Sequence, residues 1–549
     1  MDPNRLERQT TVCSLDIRRV QSARLHGSGL QEEEDLRHGI QSQIENTPNP
    51  ATKRVISFEP GDPENPHNWS MGRKWFITIT AIAAVTNSTF ASSLPSGVMG
   101  TIQKNLNVPH EELTILTISL FLLGYVIGPI GFAPFSEFYG RRWVSIIAFA
   151  WFVIFTICCA FAPNIGALLA FRFLAGVGAS APMSVTGGTF ADIWPDPVIR
   201  GRNMAIFSAV TMVGPTLSPV IGGFIQQTRL GWRGIFYIDI AIAGLSFIPL
   251  CLCPETFQPV LLLRKAKRLR AEGETDVIAP IELEDRSIKT ALATTLSRPF
   301  RMFFKESIVL LVSMYLSIIY GTFYLFFQSY PLIYVNIYHF RAGISGLPFI
   351  AVGCGAIFSY ISVILWDGHI RKQAAKGVLI TTEMRRLPLA CVAGPVFVIS
   401  MFWQGWSARA DVHWSASVIA GVPFGFGFST LFICFLNYVT DFYEIYAASA
   451  LAACSMSRSL FGASFPLFAK HMYNGLGVAW ASSLLGFVAL LMCASPFAFM
   501  RYGDWVRQKS QFYQFLQERK QLGFDADTDG ESTAEENGKE ERYQKEIDA

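Results

Sequence analysis

The sequence predicts an all-α integral membrane protein of twelve transmembrane helices arranged in two six-helix bundles. Three observations carry that expectation. Apolar stretches of about twenty residues, the length that crosses a bilayer as a helix, recur between positions 75 and 499. Charge is scarce between polar ends. Of the 549 residues, 16% are charged and 51% hydrophobic, and mean hydropathy is +0.33, whereas a soluble domain carries about a quarter charged residues. The longest polar interruption, 254–306, follows the sixth apolar stretch and divides the chain in two.

In chain order the spans fall at 75–97, 113–133, 143–162, 164–185, 203–224 and 234–253, then 307–328, 342–365, 388–404, 415–437, 446–468 and 478–499. The expected organisation is a largely disordered cytosolic tail over 1–72, a first bundle over 73–253, a cytosolic central loop over 254–306, a second bundle over 307–500 and a cytosolic tail over 501–549. The opening residues MDPNRLERQTTVCSLD lack the apolar core of a secretory signal, which keeps the N-terminus in the cytosol. An even number of spans returns the C-terminus to the same side. Positive charge agrees: Arg141, Arg142, Arg200, Arg202, Arg371, Lys372, Arg385 and Arg386 all fall in loops that this topology places inside. The run Arg264–Arg270 reads chiefly as a topology signal on a solvated helix, with docking to anionic lipid as its functional alternative.

A net charge of +3 gives no reason to expect nucleic acid as a partner. Most of the ten cysteines lie in apolar runs and read as small hydrophobic fillers. Enzyme signatures such as H-E-x-x-H, G-x-S-x-G or a phosphate-cradling G-x-x-x-x-G-K-[ST] do not occur. The expectation is a non-enzyme without a metal or cofactor, and without ATP drive of its own.

Span five carries GPTLSPVIGG, Gly214 to Gly223. Gly214, Ser218 and Gly222 recur every four residues and make one smooth face that a second helix can approach closely. Pro215 and Pro219, also four apart, each remove an i→i−4 hydrogen bond, and freed carbonyls in lipid need protein or water around them. The segment therefore fits a bent helix packed on a partner beside a cavity. Packing without a transport role is the competing reading.

Ionisable residues inside spans are costly and point to function. Arg172 lies in span four, Asp239 in span six and Arg458 in span eleven. Arg172 and Asp239 fall at similar depths, so a buried pair between them is one expectation. Polar and aromatic groups cluster in other spans: Asn87 and Ser92 in span one, Tyr320, Tyr324 and Gln328 on one face of span seven, and Asn437 and Tyr438 at the end of span ten. Aromatic walls with few fixed charges suit bulky amphipathic molecules; core filling is the alternative for each ring.

These residues resemble a known family, the major facilitator superfamily, and within it the fungal twelve-span drug:H+ antiporters. The loop after span two, Ala133-Pro134-Phe135-Ser136-Glu137-Phe138-Tyr139-Gly140-Arg141-Arg142, is similar to the G-x-L-A-D-R-x-G-R-R motif, with Glu137 for Asp and Phe138 for a basic residue. RFLAGVGAS from Arg172 resembles the R-x-x-x-G-x-G motif linked to proton transfer. GPTLSPVIGG resembles the antiporter motif G-P-x-x-G-P-x-x-G-G, with Ser218 for one Gly. PENPHNWS, WRGIFYI, PET, LNYVTDFY and RSLFGASFPLF add local matches, and the likeness covers roughly residues 60–505. Gln328 stands where many relatives carry Glu, and Asp239 where many carry Asn.

The resemblance implies a major facilitator fold with a cavity between the bundles and transport by alternating access. It assigns proton coupling to Arg172 and Asp239, an inter-bundle latch to Glu137, Arg141 and Arg142, and gating and packing to Gly214, Pro215, Ser218, Pro219, Gly222 and Gly223. The substrate cavity would take Asn87, Ser92, Tyr320, Tyr324, Gln328, Asn437, Tyr438 and Arg458. Arg458 would either hold the cavity wall or meet an electronegative substrate group. The implied activity is proton-driven export of hydrophobic small molecules such as drugs, antifungals or a secondary metabolite. Nutrient or polyamine transport, and a non-transporting sensor on the same fold, are the alternatives. The proton gradient replaces a cofactor; the partners are small substrates and lipid. A monomer in the plasma membrane is expected, with the vacuolar membrane as second choice.

Overall fold

The computed structural model describes residues 54–59, 61–274, 276–282, 288–341, 343–377, 382–443, 447–510 and 514. Of the tails predicted over 1–72 and 501–549, residues 1–53, 60, 511–513 and 515–549 lie outside the described residues. Two compact units are distinguishable, 1–57 with 262–284, and 58–261 with 285–549.

In the smaller unit, strand Arg54–Val55 pairs in parallel with Val277–Ile278. Ile56, Ala266, Val277 and Ala279 form its buried core. Arg270 donates to Glu282 at 2.7 Å, and Glu282 also accepts from the Ala279 N–H at 3.0 Å. Burial pushes the Glu282 carboxyl up, but the Ala279 bond and the Arg270 charge outweigh it and hold the group below its ordinary value.

The larger unit is helical. Eleven runs among the described residues are long and apolar enough to cross a membrane. In the first half these are α1 (Met71–Ser93), α2 (Glu112–Tyr139), α3 (Arg141–Ala160), α4 (Ile165–Ile193), α5 (Pro197–Ile225) and α6 (Arg233–Leu252). In the second they are α7 (Ser307–Pro331), α8 (Phe349–Ala375), α9 (Thr382–Ser407), α10 (Gly421–Tyr443) and α11 (Ala447–Lys509). α11 is broken at Gly477, with φ 74° and ψ 165°. That left-handed φ is open to glycine without a Cβ penalty. The break makes two crossings of one run, so the twelve predicted spans are present. Several helices outrun their spans: α4 continues to Ile193 where 185 was expected, because hydropathy registers only the lipid-embedded part.

The two halves are built alike. In the first, α2 and α4 touch backbone to backbone where Gly124 faces Val177 and Gly176 faces Phe121. In the second, α8 and α10 do the same where Gly355 faces Val422 and Gly425 faces Val352. Small residues permit this approach, which drives helix association in lipid. An ion pair repeats as well. Arg141 at the start of α3 holds Asp192 at the end of α4 at 3.3 Å, and Arg386 near the start of α9 holds Asp441 at the end of α10 at 3.0 Å. Outward-facing leucines such as Leu245 and Leu491, 74% and 72% exposed, fit a surface solvated by hydrocarbon rather than water.

Candidate functional site

Arg172 is 1% exposed and lies where α1, α2 and α4 meet. Its Nε donates to the Thr117 carbonyl at 2.8 Å, and its Nη2 donates to the Ala91 and Ser92 carbonyls, both at 3.0 Å. Local sequence explains these acceptors. Pro95 has no N–H, so the Ala91 carbonyl four residues earlier has no helical donor. The last carbonyls of α1 also carry the negative end of the helix dipole, which suits a cation. The guanidinium stands 4.2 Å from the Phe121 ring centroid. Arg172 is thus held by carbonyls and a ring face.

Asp239, on α6, is fully buried. The hydrogen-bond network orients the Asn87 amide with its nitrogen toward Asp239 Oδ1, at 2.8 Å, and its oxygen toward the Ala243 N–H, at 3.1 Å. Asp239 Oδ2 has no hydrogen-bond partner among the described residues. The expected Arg172–Asp239 pair is not a contact: ion pairs within 4.0 Å among the described residues do not include it. The two groups share a depth, but each is oriented by a different part of α1.

A polar path crosses between the halves from Arg172. Ser92, whose carbonyl accepts from Arg172, shares a 2.6 Å hydroxyl contact with Tyr324 of α7. The Tyr320 hydroxyl donates to that of Tyr324 at 3.5 Å, and the ring centroids are 4.9 Å apart. Arg458 of α11 lies 5.5 Å from the Tyr320 ring and 5.6 Å from that of Phe432. Ser92, Tyr320, Tyr324 and Arg458 therefore come together. Gln328 also bridges the halves, donating from Nε2 to Met99 Sδ at 3.3 Å. Tyr438 is placed elsewhere: it stacks on Phe499 with centroids 5.9 Å apart, in the core of the second half, and Asn437 beside it is half-buried.

α5 runs unbroken through Pro215 and Pro219. Pro219 leaves the Pro215 carbonyl without a helical donor, and the Ser93 hydroxyl of α1 donates to it at 3.3 Å. The small-residue face is filled by α1 and its continuation. A Cβ on Gly214 would lie 2.6 Å from Thr89 Oγ1, Gly222 faces Gly97, and a Cβ on Gly97 would lie 2.7 Å from the Gly223 nitrogen. Ser218 is fully buried. Farther along α5, the Pro219 carbonyl meets Gly346, in the turn before α8, at a distance of 2.6 Å from where a Cβ would stand. Lys470 of α11 pairs with Glu111 beside the start of α2. The halves are thus pressed together at the Glu111 end of α2.

At the opposite end of α2, Gly140 has φ 94° and ψ 159°, a region essentially reserved for glycine. A Cβ there would collide with the Glu255 carboxylate. Glu255, 2% exposed, caps α3 by accepting from the Arg141 N–H at 2.9 Å and the Arg142 N–H at 3.3 Å. Arg141 also reaches Ser136 at 2.8 Å, and Arg142 reaches the Cys251 carbonyl at 3.2 Å. The two arginines are therefore engaged with their own half and the segment after α6, while Glu137 stands exposed one turn before Gly140. Sequence reasoning did not single out Asp192, Glu111 or Lys470; Ser93 entered only among the polar groups of span one, and Glu255 only within the PET match. Pro219 was a usable signal for Ser93, since it announced an orphan carbonyl. The Glu111–Lys470 pair spans 359 positions and left no local trace.

Paired helix bundles in a lipid-facing shell, meeting along a buried polar and aromatic seam, define a multi-pass membrane transporter. The family model of the Major Facilitator Superfamily matches residues 77–466, and the chain belongs to that superfamily. It is 37% identical over 457 residues to a major facilitator superfamily multidrug transporter of Aspergillus fumigatus, covering 82% of this chain and 74% of that one. It is 37% identical over 467 residues to an MFS-type efflux pump of Trichophyton rubrum, covering 83% and 77%. Among solved structures it shares the fold of the proton:xylose symporter XylE bound to 6-bromo-6-deoxy-D-glucose, with TM-score 0.58, 17% identity, and coverage of 79% of this chain and 96% of that one.

Proposed function

We propose that this transporter exports hydrophobic small molecules, xenobiotics or a secondary metabolite, in exchange for protons. It would act as a monomer in the plasma membrane with both termini cytosolic. The observation that carries the reading is the path from Arg172 through Ser92 to Tyr324, since it joins a buried ionisable centre in one half to the aromatic wall of the other. The names of the two fungal relatives support export. In this reading Asp239 carries the coupled proton on Oδ2, the oxygen that Asn87 leaves free. Arg172 sets the electrostatic field around it and holds Ser92 against Tyr324. A change of charge at Asp239 shifts α1, and Ser92 passes the shift to α7. The halves then separate at the Glu111 end, which faces outward, and close at the Gly140 end.

The test is gradient-driven flux of a fluorescent hydrophobic dye into proteoliposomes holding the full chain. Wild-type flux should follow an imposed pH gradient, and Asp239→Asn should retain binding but lose the response to the gradient. Flux in Asp239→Asn that still tracks the gradient overturns the coupling role.

A further inference from the structure

We infer that Arg458 is the recognition group for a negative charge on the cargo, so that the transported molecules are lipophilic organic anions, carboxylates foremost. This rests on the export reading and narrows it.

The argument starts from an imbalance. Arg458 is 8% exposed and lies within the first crossing of α11, before the Gly477 break. Among the described residues, its Nε is buried without a partner, and its Nη2 reaches only Ser455 Oγ, one turn back on its own helix, at 3.4 Å. A guanidinium presents five donors in a rigid fork. Arg172, also buried, has three carbonyl acceptors. The contrast is between a cation that the fold satisfies and one that it does not.

Among the described residues, no ion pair within 4.0 Å involves Arg458. Three carboxylates are buried among the described residues, Asp239, Glu255 and Glu306. Asp239 is bonded to Asn87, Glu255 accepts from the backbone at Arg141, Arg142, Thr256 and Phe257, and Glu306 accepts from Tyr443 at 3.0 Å. The Tyr320 and Phe432 ring faces attract the cation but leave Nε bare. An unpaired cation in the membrane interior is costly, and an arriving anion removes that cost.

The surroundings specify the rest of the molecule. The rings of Tyr320, Tyr324, Phe428 and Phe432 form a continuous wall beside Arg458, with centroids 4.9 Å (Tyr320–Tyr324), 6.0 Å (Tyr320–Phe432) and 4.6 Å (Phe428–Phe432) apart. All four rings are buried in this arrangement, so a flat apolar body meets them once the halves part along the seam. The guanidinium fork matches a planar carboxylate through two parallel hydrogen bonds. A cationic compound of the same shape meets repulsion instead.

The test uses three naphthalene probes of matched size: 2-naphthylacetate, its neutral acetamide and 2-naphthylethylammonium. Binding to the full chain in nanodiscs is followed by tryptophan fluorescence. The wild type should bind the carboxylate about tenfold or more tighter than the amide, the usual worth of a charge-assisted hydrogen bond, and the ammonium most weakly. Arg458→Gln should erase the advantage of the carboxylate over the amide; Arg458→Lys should restore part of it. Equal binding of the three probes by the wild type overturns the inference, as a chloride ion or lipid phosphate residing on Arg458 would produce. Undetectable carboxylate binding, or a preference that survives Arg458→Gln, overturns it as well. If Arg458→Gln does not fold, the wild-type ratios decide alone. Proton-driven flux of neutral dye without anion preference would sink this inference and leave the export reading standing. Arg458-dependent anion flux indifferent to the gradient would do the reverse.

Discussion

Gly346→Ala should unbalance the transporter toward opening at the Glu111 end. The added methyl carbon would stand 2.6 Å from the Pro219 carbonyl oxygen and 2.9 Å from Pro219 C and Val220 Cα. All three are backbone atoms of α5, so no rotamer change relieves the contact. Overpacking of this kind costs about 1–3 kcal/mol. The cost falls only on the conformation that presses the turn Ile344–Gly346 onto α5. It disappears once the halves part there, so it enters the conformational equilibrium directly. A bias of that size multiplies the open-to-closed ratio by about 5- to 150-fold. Spin labels on His110→Cys and His471→Cys, exposed neighbours of Glu111 and Lys470, report the separation by double electron–electron resonance in nanodiscs, in a Cys354→Ser background. The ratio of long- to short-distance populations should grow by that factor. An unchanged distance distribution in a folded Gly346→Ala protein would refute the reasoning, because it would mean that the close approach to Pro219 does not belong to the gate.

Three further outcomes are expected. Arg172→Lys cannot fork onto the Ala91 and Ser92 carbonyls, so the thermal midpoint in detergent should fall by an amount matching about 2–4 kcal/mol; an unchanged midpoint would show those bonds to be dispensable. Gly140→Ala forces a side chain into a φ 94°, ψ 159° backbone costing about 1–3 kcal/mol and displaces Glu255, so the midpoint should fall, and Glu255→Ala in the same background should add little. Lys470→Ala removes a pair whose side chains are 36% and 39% exposed; solvent screening holds its worth to about 1 kcal/mol or less. The spin-label shift should therefore be smaller than for Gly346→Ala, and high salt should reproduce it in the wild type.

The spans were legible because lipid leaves little freedom: a crossing helix must be apolar for about twenty residues, and the chain repeats that pattern openly. Span five was legible as a packing face, and its glycines do face Thr89 and Gly97. Azimuth was not legible. Depth placed Arg172 and Asp239 together, but which neighbour each faces depends on how the helices are rotated, and the neighbours turned out to be carbonyls of α1 and α2 and the amide of Asn87. Tyr438 illustrates the same gap, since a ring at the end of a span reads alike whether it lines a cavity or stacks on Phe499. Backbone acceptors are invisible to a search for charged partners. Pro95 offered the missing clue, for a proline near a helix end announces a carbonyl in need four residues earlier.

The mirrored glycine contacts, Gly124 with Gly176 and Gly355 with Gly425, have a mechanical corollary. Each clamps two rods of its own half at main-chain distance, leaving no compressible layer of side chains between them. Each half is consequently stiff against shear, and displacement is taken up along the seam where the halves meet. Wear and innovation then fall on different residues: the clamps tolerate almost no substitution, while the seam can be rewritten for new cargo without loosening the machine that moves it.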